Sequence, residues 1–382
     1  MATKIETATA PGAGAEIEIT DLERRRFNVV HVWAFFGVVT LGLICWTWGT
    51  WLFGGHATPT SPGPTPVPGW MTFGIRAMEV TSAVTGVLVL WFVVLRPWRR
   101  QRKITFDGMI VLAMLTCWMW QDIAFNYTQT WFIYNAKFVN LGCPQCWLPG
   151  WQAHNQTQAE PLLWAASWYF AFAWAVLVAM NWVMAKARAR WPRMGNLGLF
   201  MATWAIGMVV DFMIEIPYLK LGWYTIAGAD RSQTMFGGHY YQFPLHENII
   251  GGLYLATWAA IRFFKNDKGQ PLHEKGIDEV RTTDKRRQKL KVLAMIGAFN
   301  VAQFVTFNIP TYMFSIHADP FPDDVLRRSY YTQEICGPGT NYACPDKRVP
   351  LSRGPASAHF TPDGRWEAPA GVPQQIPAGM GK

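Results

Sequence analysis

The chain has 382 residues, of which 51% are hydrophobic and only 15% charged, with a net charge of +9. Soluble domains carry about 25% charged residues. The apolar residues here form long runs between short basic stretches, which excludes a soluble globular enzyme, a disordered chain and a disulfide scaffold. Nucleic acid is excluded as a partner as well, because the basic residues cluster just outside the apolar runs, as the positive-inside bias predicts.

A helix needs about 20 mostly apolar residues to cross the hydrocarbon core. Seven such segments follow one another: 29–53, 71–95, 107–132, 161–185, 196–219, 244–264 and 291–314. Before them, residues 1–28 carry Glu6, Glu16, Glu18, Asp21 and Glu23 and no apolar core, so they read as a disordered cytoplasmic tail and not as a signal peptide. Arg24 to Arg26, the stretch 96–103, the stretch 186–193 and the stretch 262–291 hold most of the 34 Lys and Arg, whereas 54–69 holds no charge. The expectation is an all-α polytopic protein of the cell membrane. It has seven transmembrane helices spanning residues 29–314, the N-terminus in the cytoplasm and the C-terminus outside. Residues 315–382, rich in Pro, Gly and polar residues, read as a mostly irregular external tail.

The six cysteines divide by position. Cys45 and Cys117 lie inside helices. Cys143 and Cys146 fall in the outer connection between the third and fourth helices, and Cys336 and Cys344 in the external tail. An even number of exposed cysteines outside the membrane suggests disulfides. Cys-Pro-Gln-Cys is also open to a redox or half-zinc-site reading, and two local bridges are one of three connectivities.

Ionisable side chains inside a bilayer are costly, which makes each one a functional candidate. Glu79 has a possible partner in Arg76, one turn earlier. Asp122 and Asn126, four residues apart, are expected on one face near the outer end of the third helix. Asp211 and Glu215 repeat that spacing in the fifth, with Tyr218 three residues on. His246 and Glu247 open the sixth, and Asn300, Gln303 and Asn308 lie in the seventh. These groups fall at one level, in the outer half of the membrane. Two carboxylates stacked on one apolar helix repel, so one holds a proton, and an acid beside an ionised carboxylate suits acid–base chemistry. The eight histidines form no clustered boxes, and no metal or other cofactor is expected. The seventh helix has no interior lysine for a retinal Schiff base, and no phosphate-binding loop appears. Trp118, Trp120, Trp131, Trp147, Trp151, Trp164 and Trp168 surround the third helix and the start of the fourth; they read as interfacial belt residues or as walls able to stabilise a developing cation.

An ordered set of motifs resembles the AveC-like family of membrane spirocyclases. Trp120-Gln121-Asp122 with Asn126-Tyr127 is similar to the family's Trp-x-Asp and Asn-Tyr elements. Tyr134-Asn135, Asn140-Leu141-Gly142 and Trp147-Leu148-Pro149-Gly150-Trp151 resemble its aromatic outer loop. Glu160-Pro161 resembles its Glu-Pro start of the next helix, and Asp211 to Glu215, with Pro244 and Glu247, its later acidic elements. Ile123 departs from the family's frequent Pro, and the Cys143/Cys146 pair replaces another segment.

The resemblance implies a cofactor-free cyclase acting on a hydrophobic, polyketide- or lipid-like hydroxy-ketone, closed to a spiroketal with loss of water. Asp211 or Glu215 is then the acid and Asp122 the base or electrostatic stabiliser, with Glu247 and His246 as further candidates. Asn126, Tyr127, Tyr134, Asn135, Trp147, Trp151, Tyr218 and Asn308 are the residues expected to hold substrate. A dehydratase or isomerase fits the same groups. The alternative is a proton-coupled transporter or a lipid-binding accessory membrane protein. Against transport stand the lack of an inverted repeat and the scarcity of polar residues in the inner half. The expected partners are the bilayer and the small-molecule substrate; no protein partner is indicated.

Overall fold

The computed structural model describes residues 28–151, 153, 158–333, 335, 336, 344, 358–361, 365–368 and 374–376. The expected cytoplasmic tail up to residue 27, most of the tail beyond 336, and His154 lie outside the described residues.

The described chain is mostly helical. Its long helices are α1 (Val29–Phe53), α2 (Gly69–Gln101), α3 (Phe106–Gln121), α4 (Trp164–Arg190), α5 (Asn196–Lys220), α6 (Leu245–Phe263) and α7 (Asp284–Ser315). Six of these segments, all but α6, are long and apolar enough to cross a membrane, the third only when the turn after α3 is counted with it, to Asn126. Helix α6 falls short because its first turn carries His246, Glu247 and Asn248 and its last turn Arg262. The faces that the helices turn away from one another are apolar: Phe35, Trp46, Phe73, Trp182, Leu197 and Met213 are all more than half exposed. Such surfaces suit a hydrocarbon solvent and not water.

The connections gather at two ends. At one end, Asn28 Nδ2 donates to Gly276 O (2.9 Å), Arg262 pairs with Asp107 (2.8 Å) and Gln288 Nε2 donates to Ile104 O (3.0 Å). At the other end, segments 54–68, 221–244 and 316–333 interlock with the described residues of 122–163 into a cap. Thr60 N donates to Asn140 Oδ1 (2.8 Å), Thr65 N to Ser329 Oγ (2.9 Å) and Tyr240 N to Asp324 Oδ2 (2.9 Å). Strand β1 (Ile133–Tyr134) pairs antiparallel with β2 (Tyr224–Thr225), placing Tyr134 opposite Tyr224. A second pair joins β3 (Thr234–Met235) to β4 (Phe243–Pro244). The beginning of the expected tail belongs to this cap. With α8 (Asp323–Leu326) and α9 (Ser329–Thr332), it is irregular in backbone yet buries Phe321, Val325, Tyr330 and Tyr331 in the core. Disulfides join Cys143 to Cys146 and Cys336 to Cys344, the first within the cap.

Helix α3 corrects the reading of 107–132 as one helix. Thr105 caps its N-terminus, accepting from Gly108 N, and it ends at Gln121, with Asp122 as its C-cap. A 3-10 turn at Ala124–Asn126 follows. Asn126 Oδ1 takes the N–H groups of Trp131 and Phe132 (both 3.2 Å), while its Nδ2 donates to Phe132 O and Gln158 Oε1. Asn126 therefore folds the cap and does not share a helical face with Asp122. The residues after Gln121 are apolar because the cap has a core of its own, which hydropathy does not separate from a membrane span.

Two apolar clusters result, one in the cap and one among α3, α4, α6 and α7. Helices α5 and α6 meet closely: a Cβ on Gly252 would lie 2.6 Å from Met208 N, so only glycine permits the contact. Three helices contain a π-turn, at Leu90–Leu95, Trp168–Phe172 and Phe304–Asn308.

Candidate active site

A cavity of about 80 Å³ sits where the cap meets the bundle. Asp122, Asp211, Glu215 and Glu247 line it, walled by Phe125, Phe132, Tyr134, Trp164, Trp168, Tyr169, Tyr218, Tyr224, Tyr254 and Phe307. Two of the π-turns supply wall residues, Trp168 and Tyr169 from α4 and Phe307 from α7. A π-turn shifts the helical register by one residue and re-aims side chains, which is why such turns are frequent at functional sites.

Asp122 projects into the cavity from the end of α3. Tyr134 O–H donates to its Oδ2 at 2.8 Å. Tyr169 also reaches its carboxylate, and Gln303 Nε2 donates to Tyr169 OH at 3.3 Å. Behind Asp122 stands Glu160, fully buried in the cap. Trp118 Nε1 donates to Glu160 Oε1 at 2.7 Å. Its other oxygen has no hydrogen-bond donor among the described residues, and its carboxyl lies within hydrogen-bond reach of Asp122. Two carboxyl groups in contact require a shared proton. Burial first, and then the neighbouring charge of Asp122, push the Glu160 carboxyl well above the ordinary carboxylate range, which puts the proton on Glu160.

The other acids form a second group. Asp211 and Glu215 lie one turn apart on α5, and Glu247 opens α6. Tyr224 O–H donates to the Glu215 carboxylate. A Cβ on Gly251 would lie 2.2 Å from Asp211 Oδ1, so this glycine makes room for the carboxyl. Asp211 Oδ2 and Glu247 Oε2 have no partner among the described residues. Burial, and then the charge of the facing carboxylates, raise the phenols of Tyr134 and Tyr224 well above their usual value, which keeps both as O–H donors. Among the described residues, no group of three or more His, Cys, Asp or Glu is arranged to hold a metal ion.

Of the residues singled out from sequence, Asp122, Asp211, Glu215, Glu247, Tyr134 and Tyr218 meet at this cavity, with Trp164 and Trp168 in its wall. The other expected site residues lie elsewhere. His246 points away, its ring stacked on Phe314 at 3.9 Å. Asn135 holds the cap, donating to Gly222 O at 2.9 Å. Trp147 stacks on His56 at 3.7 Å, and Trp151 packs edge-on to Tyr127 at 5.8 Å. Tyr127 and Asn308 line a different, apolar cavity. Glu79 is held by Arg76 (2.5 Å) and by Val139 N (2.5 Å). Asn300 ties α7 to α3, accepting from Trp120 Nε1 (2.7 Å) and Gln121 Nε2 (2.8 Å).

The sequence reading left Glu160, Tyr169, Tyr224 and Tyr254 out of the site. Glu160-Pro161 stands out in the sequence only as one of the motifs that resemble the family, and nothing local to it signals burial against Asp122.

Neither a curated protein nor a solved structure matches this chain. The profile of the Spirocyclase AveC-like family matches residues 101–331. The match runs from the end of α2 into α9 and contains all five acids of the site. It covers more than half of the sequence, and the chain therefore belongs to the AveC-like spirocyclase family.

Proposed function

We propose that this chain is a membrane-embedded cyclase that closes a hydrophobic, polyketide- or lipid-like dihydroxy-ketone to a spiroketal. The observation that carries the proposal is the convergence of four carboxyl groups on one aromatic-walled cavity. In the reaction, one hydroxyl adds to the ketone to give a hemiketal. A carboxylic acid protonates the hemiketal hydroxyl, which leaves as water, and an oxocarbenium-like centre remains. The second hydroxyl attacks that carbon and gives its proton to a carboxylate. The balance is one dihydroxy-ketone to one spiroketal and one water, with no change of oxidation state.

The residues divide this work. Asp211, Glu215 and Glu247 crowd three carboxyl groups into one cavity wall, and like charges so close favour retention of a proton. This group supplies the acid, with Asp211 or Glu215 as donor. Asp122, held by Tyr134 O–H, takes the proton or steadies the cation. Glu160 acts through Asp122 as a positioning residue. The aromatic walls fold the chain and exclude bulk water. A cavity of about 80 Å³ is smaller than the roughly 150 Å³ that accommodates benzene in an engineered protein cavity. In this closed form it encloses only the reacting segment.

The same reading covers the membrane arrangement. We place α6 as a seventh span, since it runs from the cap to the Arg262–Asp107 pair at the opposite end. The basic end faces the cytoplasm and the disulfide-bearing cap faces outward, as the positive-inside bias and an oxidising compartment suggest.

The test is comparative metabolomics of a deletion strain complemented with wild type, Asp122→Asn or Asp211→Asn. A species heavier than its product by one water accumulates in the deletion and in both variants. Complete restoration of the wild-type profile by well-expressed variants overturns the proposal.

A further inference from the structure

The second cavity backs onto the acid site. It has a volume of about 360 Å³, several times that of the acid cavity, and is lined by Leu43 of α1, Trp120, Ala124, and Phe304, Asn308 and Tyr312 of α7. Phe304 and Ile309 at its edge are 41% and 40% exposed on the outer surface of the bundle. The mouth therefore opens sideways, toward the lipid that the apolar helix faces require.

Its lining is apolar around one buried amide. Asn308 is 2% exposed. Its Nδ2 donates to Gln121 O at 2.8 Å, which fixes the amide's orientation, and its Oδ1 has no partner among the described residues. A buried acceptor without a donor costs about 1–3 kcal/mol. Two neighbouring donors do not reach it: Trp120 Nε1 donates to Asn300 Oδ1 (2.7 Å) and Tyr127 O–H to Pro149 O (2.7 Å). An occupant that satisfies this site brings a hydrogen-bond donor on an apolar body, which is the chemistry of a hydroxylated hydrocarbon.

The two cavities share their dividing wall. Phe125 lines the acid cavity and its neighbour Ala124 the apolar one; Phe307 lines the acid cavity and its neighbour Asn308 the apolar one. The rings of Phe125 and Phe307 meet edge-on at 5.9 Å. The wall is thus two single turns thick, and one of them is the π-turn of α7.

We infer that the apolar cavity is a vestibule. It takes the hydroxylated hydrocarbon chain of the substrate from the bilayer, holds its hydroxyl on Asn308 Oδ1, and delivers it across the Phe125–Phe307 wall. The identity of the occupant as substrate rests on the cyclase reading above; the binding site itself does not.

The test uses the full chain in phosphatidylcholine nanodiscs and a twelve-carbon primary alcohol bearing a photoactivatable diazirine. Labelled peptides are read by mass spectrometry, with 1-dodecanol and its methyl ether as competitors. The expected result is labelling confined to residues 120–127 and 304–312, displaced about fivefold to tenfold better by the alcohol than by the ether. Ala124→Trp, which fills the cavity, abolishes labelling, and Asn308→Leu removes the preference for the alcohol. Unfolding midpoints of both variants show that they are folded. Labelling spread over the outer faces of the helices, equal competition by the ether, or wild-type labelling of Ala124→Trp overturns the site. If Ala124→Trp loses labelling but restores the wild-type metabolite profile, the vestibule role is overturned. Failure of the labelling together with loss of product in Asp122→Asn removes this inference and leaves the cyclase reading standing.

Discussion

Glu160, buried in the cap, presents its carboxyl to Asp122 at the end of α3, and each is held by an aromatic donor, Trp118 Nε1 for Glu160 and Tyr134 O–H for Asp122. The pair joins the cap to the bundle and fixes the one acid that enters the cavity from α3.

The pair separates positioning from chemistry. Glu160→Gln keeps the acceptor for Trp118 and offers Asp122 an amide N–H in place of the carboxyl proton. It is expected to retain most product formation, whereas Asp122→Asn loses it. Glu160→Ala leaves the Trp118 indole and the Asp122 carboxylate unpartnered, at a cost of about 3 kcal/mol. Unfolding midpoints and precursor-to-product ratios for the three variants check this; equal loss of product in Glu160→Gln and Asp122→Asn contradicts it.

The same carboxyl makes stability depend on pH. Its folded-state pKa is raised, so its contribution is fully present below the ordinary glutamate value and is lost as pH rises through the folded value. Wild type should lose stability on going from mildly acidic to alkaline pH more steeply than Glu160→Gln. Parallel pH profiles of the two unfolding midpoints would sink the assignment.

His273 acts in the opposite sense at the basic end. It is fully buried, stacked on Phe106 (ring centroids 6.4 Å apart), and neither ring nitrogen has a partner among the described residues. Burial first, and then the charge of Lys291, lower its pKa from 6.5 to about 4. The unfolded chain takes up a proton near pH 6.5 and the folded chain does not until about pH 4. Stability is therefore full above pH 6.5 and falls by up to about 3 kcal/mol as pH drops toward 4. His273→Phe should flatten that acid limb in a titration of the unfolding midpoint.

Gly251 tests the place of Asp211. An added Cβ would lie 2.2 Å from Asp211 Oδ1, whereas at Gly42 it would meet nothing within 4 Å. Gly251→Ala is expected to lower product formation at least about tenfold by displacing the carboxyl, since small misplacements of reacting groups have large kinetic effects. Gly42→Ala is the control that leaves product formation unchanged. Normal turnover in Gly251→Ala removes Asp211 from the chemistry.

Membrane orientation has a direct readout. Alkaline phosphatase fused within the exposed Gly237–Gly238 turn of the cap should be active, as it folds only outside the cytoplasm, and a fusion at Asp267–Lys268 should be inactive. The reverse pattern inverts the topology proposed for the seven helices.

The sequence by itself determined the helical, apolar character of the chain, the approximate place of its long helices and the presence of acids within them. These properties are local: a run of apolar residues fixes a span, and a carboxyl within it stands out wherever the chain goes. Tertiary structure decided which of those acids meet. Helix α3 stops at Gln121 because Asp122 turns to Tyr134 and Asn126 gathers the next loop, so the expected Asp122–Asn126 face does not exist. His246, adjacent to Glu247 in sequence, is turned about 100° from it around α6 and stacks on Phe314. Glu160 is a site residue only because the cap folds over the bundle and buries its carboxyl against Asp122. Burial and long-range partnership depend on how distant segments pack, and a one-dimensional pattern of residue types does not encode that directly.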